Sequence, residues 1–393
     1  MAGMTPAELA RARRRLEAFT AGLFEGFTRC DQRARGACYL RGLLLDGRRK
    51  SIQPMAARLP DTNKQALHHF IHASPWDWRP VRRRLAERMC RVIDPAVWVV
   101  DDTGFPKDGR HSVGVQRQYC GTLGKVANCQ LGVSVHAASE QASCPLDWRL
   151  FLPTGWNHDI QRRHAAHLPT DVHHRPKWQL ALDMLDELAG WELHPPVLVA
   201  DAGYGDTGAF RQGLAGRGVG YVVQVKPATC ATPERHQPPV VVAGRQHTPH
   251  ITPGERASLH ALVTTAGEQA AVPIIWREGS RGRQRSRFVA LRVRAPGLEQ
   301  GGWLLAEWPP DQAAPRDYWL SNLPERTPMV ALVRLGKLRW RIEHDYRELK
   351  DALGLDHYQV RSWPGWHHHV TLVSAAHAFV TLQRLDPKAR ASA

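Results

Sequence analysis

Apolar positions in residues 5–95 recur at helical spacing. Leu9, Leu16, Phe19 and Leu23 return to one side of a helix, and Ala66, Leu67, Phe70 and Ile71 open a second apolar face. PWDWRPVRRRLAERMCRVI, with Pro near its start and an Arg-heavy body, predicts another amphipathic helix. Its RRR triplet reads equally as a phosphate-docking surface or as a solvated face. The pattern changes at Ala96. AVWVVDD is a short β-branched run ending in two carboxylates, and CQLGVSVHAAS and CPLDWRLFLP follow as strand candidates. KWQLALDMLDELAG predicts a helix within 176–190. VLVAD is a second short apolar run ending in an acid, and GYVVQVK closes the segment at 226. Residues 227–325 differ in texture: PERHQPPVVV, TPHITPGE, RFVALRVRA, WLLAEW and DYWLSNL read as short strands joined by Pro/Gly loops. Helical periodicity returns over 327–350 and 366–385. This order predicts an α/β core at 96–226 and 326–393, split by a β-rich inserted domain at 227–325 and preceded by a helical domain at 1–95.

Charge narrows the partners. Lys plus Arg number 53 against 37 Asp plus Glu, a net of +16. A field of that sign attracts polyanions and releases their counterions, and nucleic acid is the commonest such partner. A basic enzyme unconnected with nucleic acid is the alternative. No run of about 18 apolar residues is present, so no transmembrane helix is expected. The opening MAGMTPAELARARRRLEAF is amphipathic and lacks the apolar core of a secretory signal. The seven cysteines are odd in number and without CxxC pairs, which predicts reduced thiols and a cytoplasmic chain. His367–His369 has no cysteine partners at zinc spacing, so structural zinc is not expected.

Two apolar runs end in acids: Asp101 in Asp101-Asp102-Thr103, and Asp201 in Asp201-Ala202-Gly203-Tyr204-Gly205. Burying such a charge is costly unless a cation or partner offsets it. One Asp after a strand is commonly a turn or cap residue; two in a basic chain point to shared chemistry. A third acid lies in LGKLRWRIEHDYRELKDALGLDHY, where Arg339, Glu343 and Lys350, four and then seven positions apart, return to one helical face. Surface ion pairing explains such a pattern in a generic helix. The other reading puts Glu343 on metal and Arg339 and Lys350 on DNA phosphates. Metal-assisted phosphodiester chemistry needs carboxylates converging on two Mg²⁺ ions about 3.5–4 Å apart, for which Mn²⁺ can substitute. Acids ending neighbouring strands, closed by an acid on a packed helix, provide that frame.

Asp-x-Thr after a strand, Asp-Ala-Gly-Tyr-Gly and Arg-x3-Glu-x6-Lys resemble the DDE transposases of bacterial insertion sequences. The last is similar to the Tyr-x2-Arg-x3-Glu-x6-Lys signature of the insertion-sequence 4 group, with Gly336 standing at the Tyr position. A longer likeness is more specific. DDTGFPKDGRHSVGVQRQYCGTLGKVANCQLGVSVH, from Asp101 to His136, resembles the insertion-sequence 701 family. So do PWDW at 75–78, DAGYGD at 201–206, and WRIEHDYRELKDALGLDHY with the closing GWHHHVTL. The resemblance implies an RNase H-like catalytic core whose third acid follows a β-strand insertion. It implies a transposase that cuts the inverted-repeat ends of its element and joins the 3′-OH to target DNA, with Asp101, Asp201 and Glu343 as catalytic and metal-ligating residues. The implied partners are double-stranded DNA and a second copy of the chain in the synaptic complex; the implied place is the bacterial nucleoid. Asp101 takes the first role from its position two before Thr103, while Asp102 on the opposite strand face remains the alternative.

Other residues carry two readings each. Lys107, Arg110 and Lys125 grip phosphate or are loop cations. Trp303, Trp308 and Trp319 stack on an unpaired base or pack a core. In-line displacement needs no covalent intermediate, so Tyr119 and Tyr204, although near the motifs, are given no nucleophilic role. His158-Asp159 with Arg162-Arg163 also resembles a family stretch, without a readable chemistry. A nuclease that cuts without joining, a domesticated DNA-binding protein, and a phosphatase using Asp101 as nucleophile are the rival functions.

Overall fold

The helices that open the chain are α1 (Pro6–Leu23), α2 (Cys30–Leu44), α3 (Ile52–Ala56), α4 (Lys64–His72) and α5 (Trp78–Ile93). Thr5 and Glu8 form a reciprocal capping box at the start of α1, with Pro6 in its first turn, and Asp77 caps α5. The first strands are β1 (Val97–Pro106), β2 (Gln116–Cys120), β3 (Lys125–Ala138) and β4 (Ser143–Phe151). After them come α6 (Ile160–Ala165), α7 (Lys177–Ala189), β5 (Leu198–Ala200), α8 (Ala202–Gly205), α9 (Gly208–Gly216) and β6 (Tyr221–Val225). The β-rich stretch supplies β7 (Cys230–Pro233), β8 (Val240–Val242), β9 (Arg245–His247), β10 (Ala257–Ser258), α10 (Leu259–Ala266), β11 (Val272–Gly279), β12 (Gly282–Ala295), β13 (Leu298–Glu307) and β14 (Asp317–Ser321). Helices α11 (Met329–Lys337), α12 (Trp340–Asp351) and α13 (Trp363–Leu385) close the chain. This computed structural model describes residues 5–242, 245–249, 251, 254–279, 282–359 and 361–386.

One large sheet organises the molecule. Its order runs β10-β7-β12-β13-β14-β6-β5-β1-β3-β2, with β4 also on β3 and β11 on β12. At the centre β1, β5 and β6 are parallel, and the chain on either side is antiparallel. The parallel strands read as unbroken apolar runs because both of their faces are covered. Residues 227–325, expected as an inserted domain, continue this sheet edgewise: the returning β14 pairs with β6, Tyr318 opposite Val225 and Ser321 opposite Val222.

Two expectations are corrected. The apolar run that stops at Asp101 does not mark the end of its strand, since β1 continues to Pro106. Beyond Val100 it loses its parallel neighbour β5 but stays paired with β3 as far as Cys129, which supplies the missing ladder. The RRR triplet does not share one exposed side. Arg82 is fully buried and gives Nη1 to Asp147 (2.8 Å) and to the Trp148 carbonyl (2.9 Å), and Nε to Thr371 (2.7 Å). Arg83 pairs with Glu87 on the helix surface.

Helix α13 explains that burial. It is apolar nearly all round and lies between the opening helices and β4, as a core helix should. Its polar residues are spent on neighbours. His368 lies between the Ile71 and Trp76 carbonyls and donates its one N–H to one of them, His369 bonds the Tyr39 hydroxyl, and Ser374 accepts from the Trp148 indole. The seven cysteines form no disulfide, and no helix among the described residues is long and apolar enough to cross a membrane. Arg82→Ala takes the donor from Asp147, the Trp148 carbonyl and the Thr371 hydroxyl at once, and is expected to cost on the order of 3–5 kcal/mol. Thermal denaturation should show a clear drop in midpoint for this change and almost none for Arg83→Ala; similar midpoints would remove Arg82 from the core account.

Candidate functional site

Asp101 and Asp201 come together through strand register. Val100 of β1 pairs with Ala200 of the parallel β5, so each acid directly follows one member of that pair. Asp201 also caps α8, its Oδ1 accepting the Gly203 N–H at 2.9 Å. The strand alternation sends Asp102 the other way. There it accepts from Lys177 Nζ on α7 at 2.6 Å and from the Tyr204 hydroxyl at 3.1 Å.

Glu343, in the first turn of α12, approaches the pair through Arg339. One guanidinium donates Nη1 to Asp101 Oδ2 (3.0 Å) and Nη2 to Glu343 Oε1 (2.6 Å). Those two carboxylate oxygens therefore lie within about 8 Å of each other across a planar fork. Glu343 keeps 58% of its side chain exposed, so the cluster opens to solvent on that side. The three acids are not a ready-made metal cage: among the described residues no group of three or more His, Cys, Asp or Glu side chains converges as a ligand set. Arg339 lies between Asp101 and Glu343 and pairs with both.

One arginine does not satisfy the charge. Burial, and then the neighbouring Asp201 charge, push the Asp101 carboxyl up to about 7 against the pull of Arg339. Asp201 is raised as well, chiefly by burial. Two carboxylates on adjacent strands in a partly dry site resist ionising together.

The height of α12 above the sheet is set by a buried polar chain. Burial lowers the His136 pKa, so its ring is neutral at pH 7 and carries one N–H. Nδ1 faces Asp345 Oδ2 at 2.8 Å and must hold that proton. Nε2 therefore accepts from Ser134 Oγ at 3.0 Å, and Ser134 in turn accepts from the Tyr346 hydroxyl at 2.7 Å. Ser143 donates to the other Asp345 oxygen at 2.6 Å. Every member is satisfied in one direction, from Tyr346 to Asp345, and both ends of the chain belong to α12. Although burial works to raise the Asp345 carboxyl, the hydrogen bond from His136, with the nearby His377 and the Ser143 hydroxyl, holds it below the usual range. Nothing in the sequence pattern singled out this chain. The available signal was spacing: Asp345, two after Glu343, lies about 200° around the helix and must face inward when Glu343 faces outward.

The five expected DNA-contacting cations divide. Arg339 is committed to the acids. Lys350 Nζ donates to the Gly104 carbonyl (2.9 Å) and Thr122 Oγ1 (2.7 Å), and Lys107 Nζ to the Tyr358 carbonyl (2.7 Å). Burial lowers both lysines, Lys107 to about 8. Arg110 and Lys125 face solvent. Trp303, Trp308 and Trp319 are buried, and the first two donate their indole N–H groups to the Pro324 and Gln312 carbonyls, so the core reading holds for them. At Gly336 even a Cβ would sit 3.3 Å from Val222 and 3.4 Å from the Trp319 indole, so α11 has no room for a tyrosine there.

Residues 22–283 match the model of a family described as DDE superfamily endonuclease. The span includes Asp101 and Asp201 and stops short of Glu343, whose place in the cluster rests on geometry alone. The chain is also 24% identical over 329 residues, 82% of its own length and 76% of the relative's, to a protein of Microchaete diplosiphon named as a probable transposase for insertion sequence element IS701.

The raised Asp101 carboxyl has a measurable sign. The folded chain holds that proton more tightly than the unfolded one, so its stability contribution is present below about pH 4 and is lost as pH rises through about 7. In EDTA at pH 8, Asp101→Asn is expected to stabilise the chain by an amount on the order of 2–4 kcal/mol, with the advantage gone at pH 4. Equal melting at pH 8 would show that Asp101 ionises there without penalty.

Proposed function

The chain belongs to the DDE superfamily endonucleases, and from that premise we propose that it is the DNA transposase of an insertion sequence, cutting the inverted-repeat ends of its element and joining the freed 3′-OH to target DNA. The observation that carries this reading is the single guanidinium of Arg339 joining Asp101 on β1 to Glu343 on α12, one strand away from Asp201. The local order β4-β3-β1-β5-β6, an antiparallel meander followed by two strands parallel to β1, supports an RNase H-like core. Residues 227–325 are then an elaboration between that core's last strand and its closing helices. The similarity to a named IS701 transposase supports the same assignment.

In this reading Asp101, Asp201 and Glu343 hold two Mg²⁺ ions, with Mn²⁺ able to substitute. The donor set fits: all-oxygen, hard, and short of positive charge, as the raised Asp101 carboxyl attests. Bound there, the metal pair supplies Lewis-acid stabilisation of the entering and leaving oxygens of an in-line displacement. The protein's own part is positional. Strand register sets Asp101 against Asp201, and the Tyr346–Ser134–His136–Asp345 chain fixes the helix that brings Glu343. Arg339, once no longer required to neutralise carboxylates, turns to phosphate. Asp102 keeps a structural partner in Lys177 and Tyr204, which favours Asp101 as the ligand. The net charge of +16 suits double-stranded DNA, and joining two element ends calls for two copies of the chain in one complex.

Glu343→Gln removes a charge without altering shape. With a plasmid carrying the DNA that flanks this gene, the variant is expected to bind within about threefold of wild type while cutting falls by at least about a hundredfold. Joining of pre-cut ends to a second plasmid should be lost in parallel. A wild-type chain that cuts and never joins would mark a plain nuclease; a Glu343→Gln chain that still cuts would remove the acid cluster from the chemistry.

A further inference from the structure

The hairpin of β2 and β3 carries an apolar surface that the fold does not use. Tyr119 and Val126 are direct cross-strand partners and are 63% and 52% exposed; Leu123 at the turn is 44% exposed. Scattered surface apolar residues mean little. Here three of the seven large exposed apolar side chains of the described chain fall within eight positions. The opposite face of the same hairpin is packed, with Cys120 and Cys129 fully buried, so the exposed face is not a frayed edge.

The hairpin is pinned beside the acids. Thr122 Oγ1 donates to the Gly104 carbonyl at 3.0 Å, and Lys350 Nζ grips both. Cys120 Sγ fills the space where a Cβ on residue 104 would come within 2.5 Å of it, so only glycine admits this approach. Gly104 is three residues from Asp101, about 10 Å along the strand, and Lys350 is two turns from Glu343 on the same helix. Thr122, in the turn of the hairpin, is thereby held against the strand and the helix that carry Asp101 and Glu343.

The same face continues into a basic groove. Arg117 and Asn128, the next cross-strand pair, line a groove of about 780 Å³ together with Arg110, Arg162 and Arg361. Among the described residues Arg110, Arg117 and Arg361 form no ion pair with a carboxylate; Asp159 is the acid on the groove's wall. Aromatic and aliphatic side chains leading into unpaired arginines match a strand whose bases are unstacked and whose phosphates run on past them.

We propose that the Tyr119–Val126 tip is a wedge that opens the DNA end beside the cut, receiving an unpaired base on Tyr119 while the strand's phosphates follow the arginine groove. This rests on the reading of the chain as a DNA-cutting transposase. The wedge is built on the core hairpin and not on the buried tryptophans of the β-rich stretch.

The test uses the full chain and a duplex from the DNA end flanking this gene. It carries 2-aminopurine singly at the positions nearest the cut, with Ca²⁺ in place of Mg²⁺. Wild type should raise the fluorescence several-fold at one position, and Tyr119→Ala should abolish the rise while Tyr119→Trp keeps it. In Mg²⁺, Tyr119→Ala should cut the paired end about tenfold more slowly and recover on an end mismatched at that position, as loss of one stacked base requires. A rise unchanged in Tyr119→Ala, or a cutting defect that the mismatch does not rescue, overturns the wedge. Fluorescence that rises with wild type on DNA it never cuts would count against the transposase reading and leave the wedge standing.

Discussion

Everything at the acid cluster follows from one electrostatic constraint: two carboxylates ending adjacent parallel strands cannot both be charged in a partly dry site without a cation between them. Asp101 and Asp201 are placed by register, which leaves no freedom to separate them. The fold meets the constraint in part. Arg339 lends one charge to Asp101 and Glu343 together, and Lys177 lends another to Asp102 behind them. The remainder is visible as the upward displacement of Asp101 and Asp201. A site left in that state carries more carboxylate than its own cations neutralise.

That arrangement works only if α12 stays at a fixed height above β1, and the structure spends buried polar groups to ensure it. A neutral His136 between Ser134 and Asp345 fixes each proton's direction, which a pair of charged groups would not. Buried polar chains of this kind are costly when incomplete and rigid when complete. On its outer side α12 is tied to α13 through Glu348, which meets His377 at 3.3 Å and Arg384 at 2.9 Å; these partners hold the Glu348 carboxyl down to about 2 although burial works against it. The helix bearing Glu343 is thus gripped from the sheet and from the core helix at once.

Much of this was legible in the sequence, because the strongest patterns there are local. The runs WVV and VLVA, the helix at 177–189 and the Arg339–Glu343 spacing each depend on neighbours within a few residues, and each stands where it was expected. Asp101 and Asp102 could not be told apart, because alternation says that they differ in face without saying which face holds the helix. The fate of Arg82 was unreadable for a related reason. Its partners Asp147 and Thr371 lie 65 and 289 residues away, and an arginine paired in the core looks like any other in an Arg-rich helix. The apolar hairpin face was hidden in a stretch whose glycines and cations drew attention to phosphate instead.

The β-rich excursion shows why so long an interruption need not disturb the site. The chain leaves β6 at Val225 and returns beside it as β14, antiparallel to the strand that it left. Whatever is folded between those points, the return strand is fixed by hydrogen bonds to β6, which is itself fixed through β5 to β1. Helix α11 starts eight residues after β14 ends and packs Gly336 against Val222 of β6, and α12 follows at once. The position of Glu343 is therefore inherited from the register of the strands that carry Asp101 and Asp201, and not from the size of what lies between. Loop-closure entropy grows only slowly with length, so an excursion closed by strand pairing adds little further cost as it lengthens. The sequence distance between the second and third acids can be large because the spatial distance is set elsewhere.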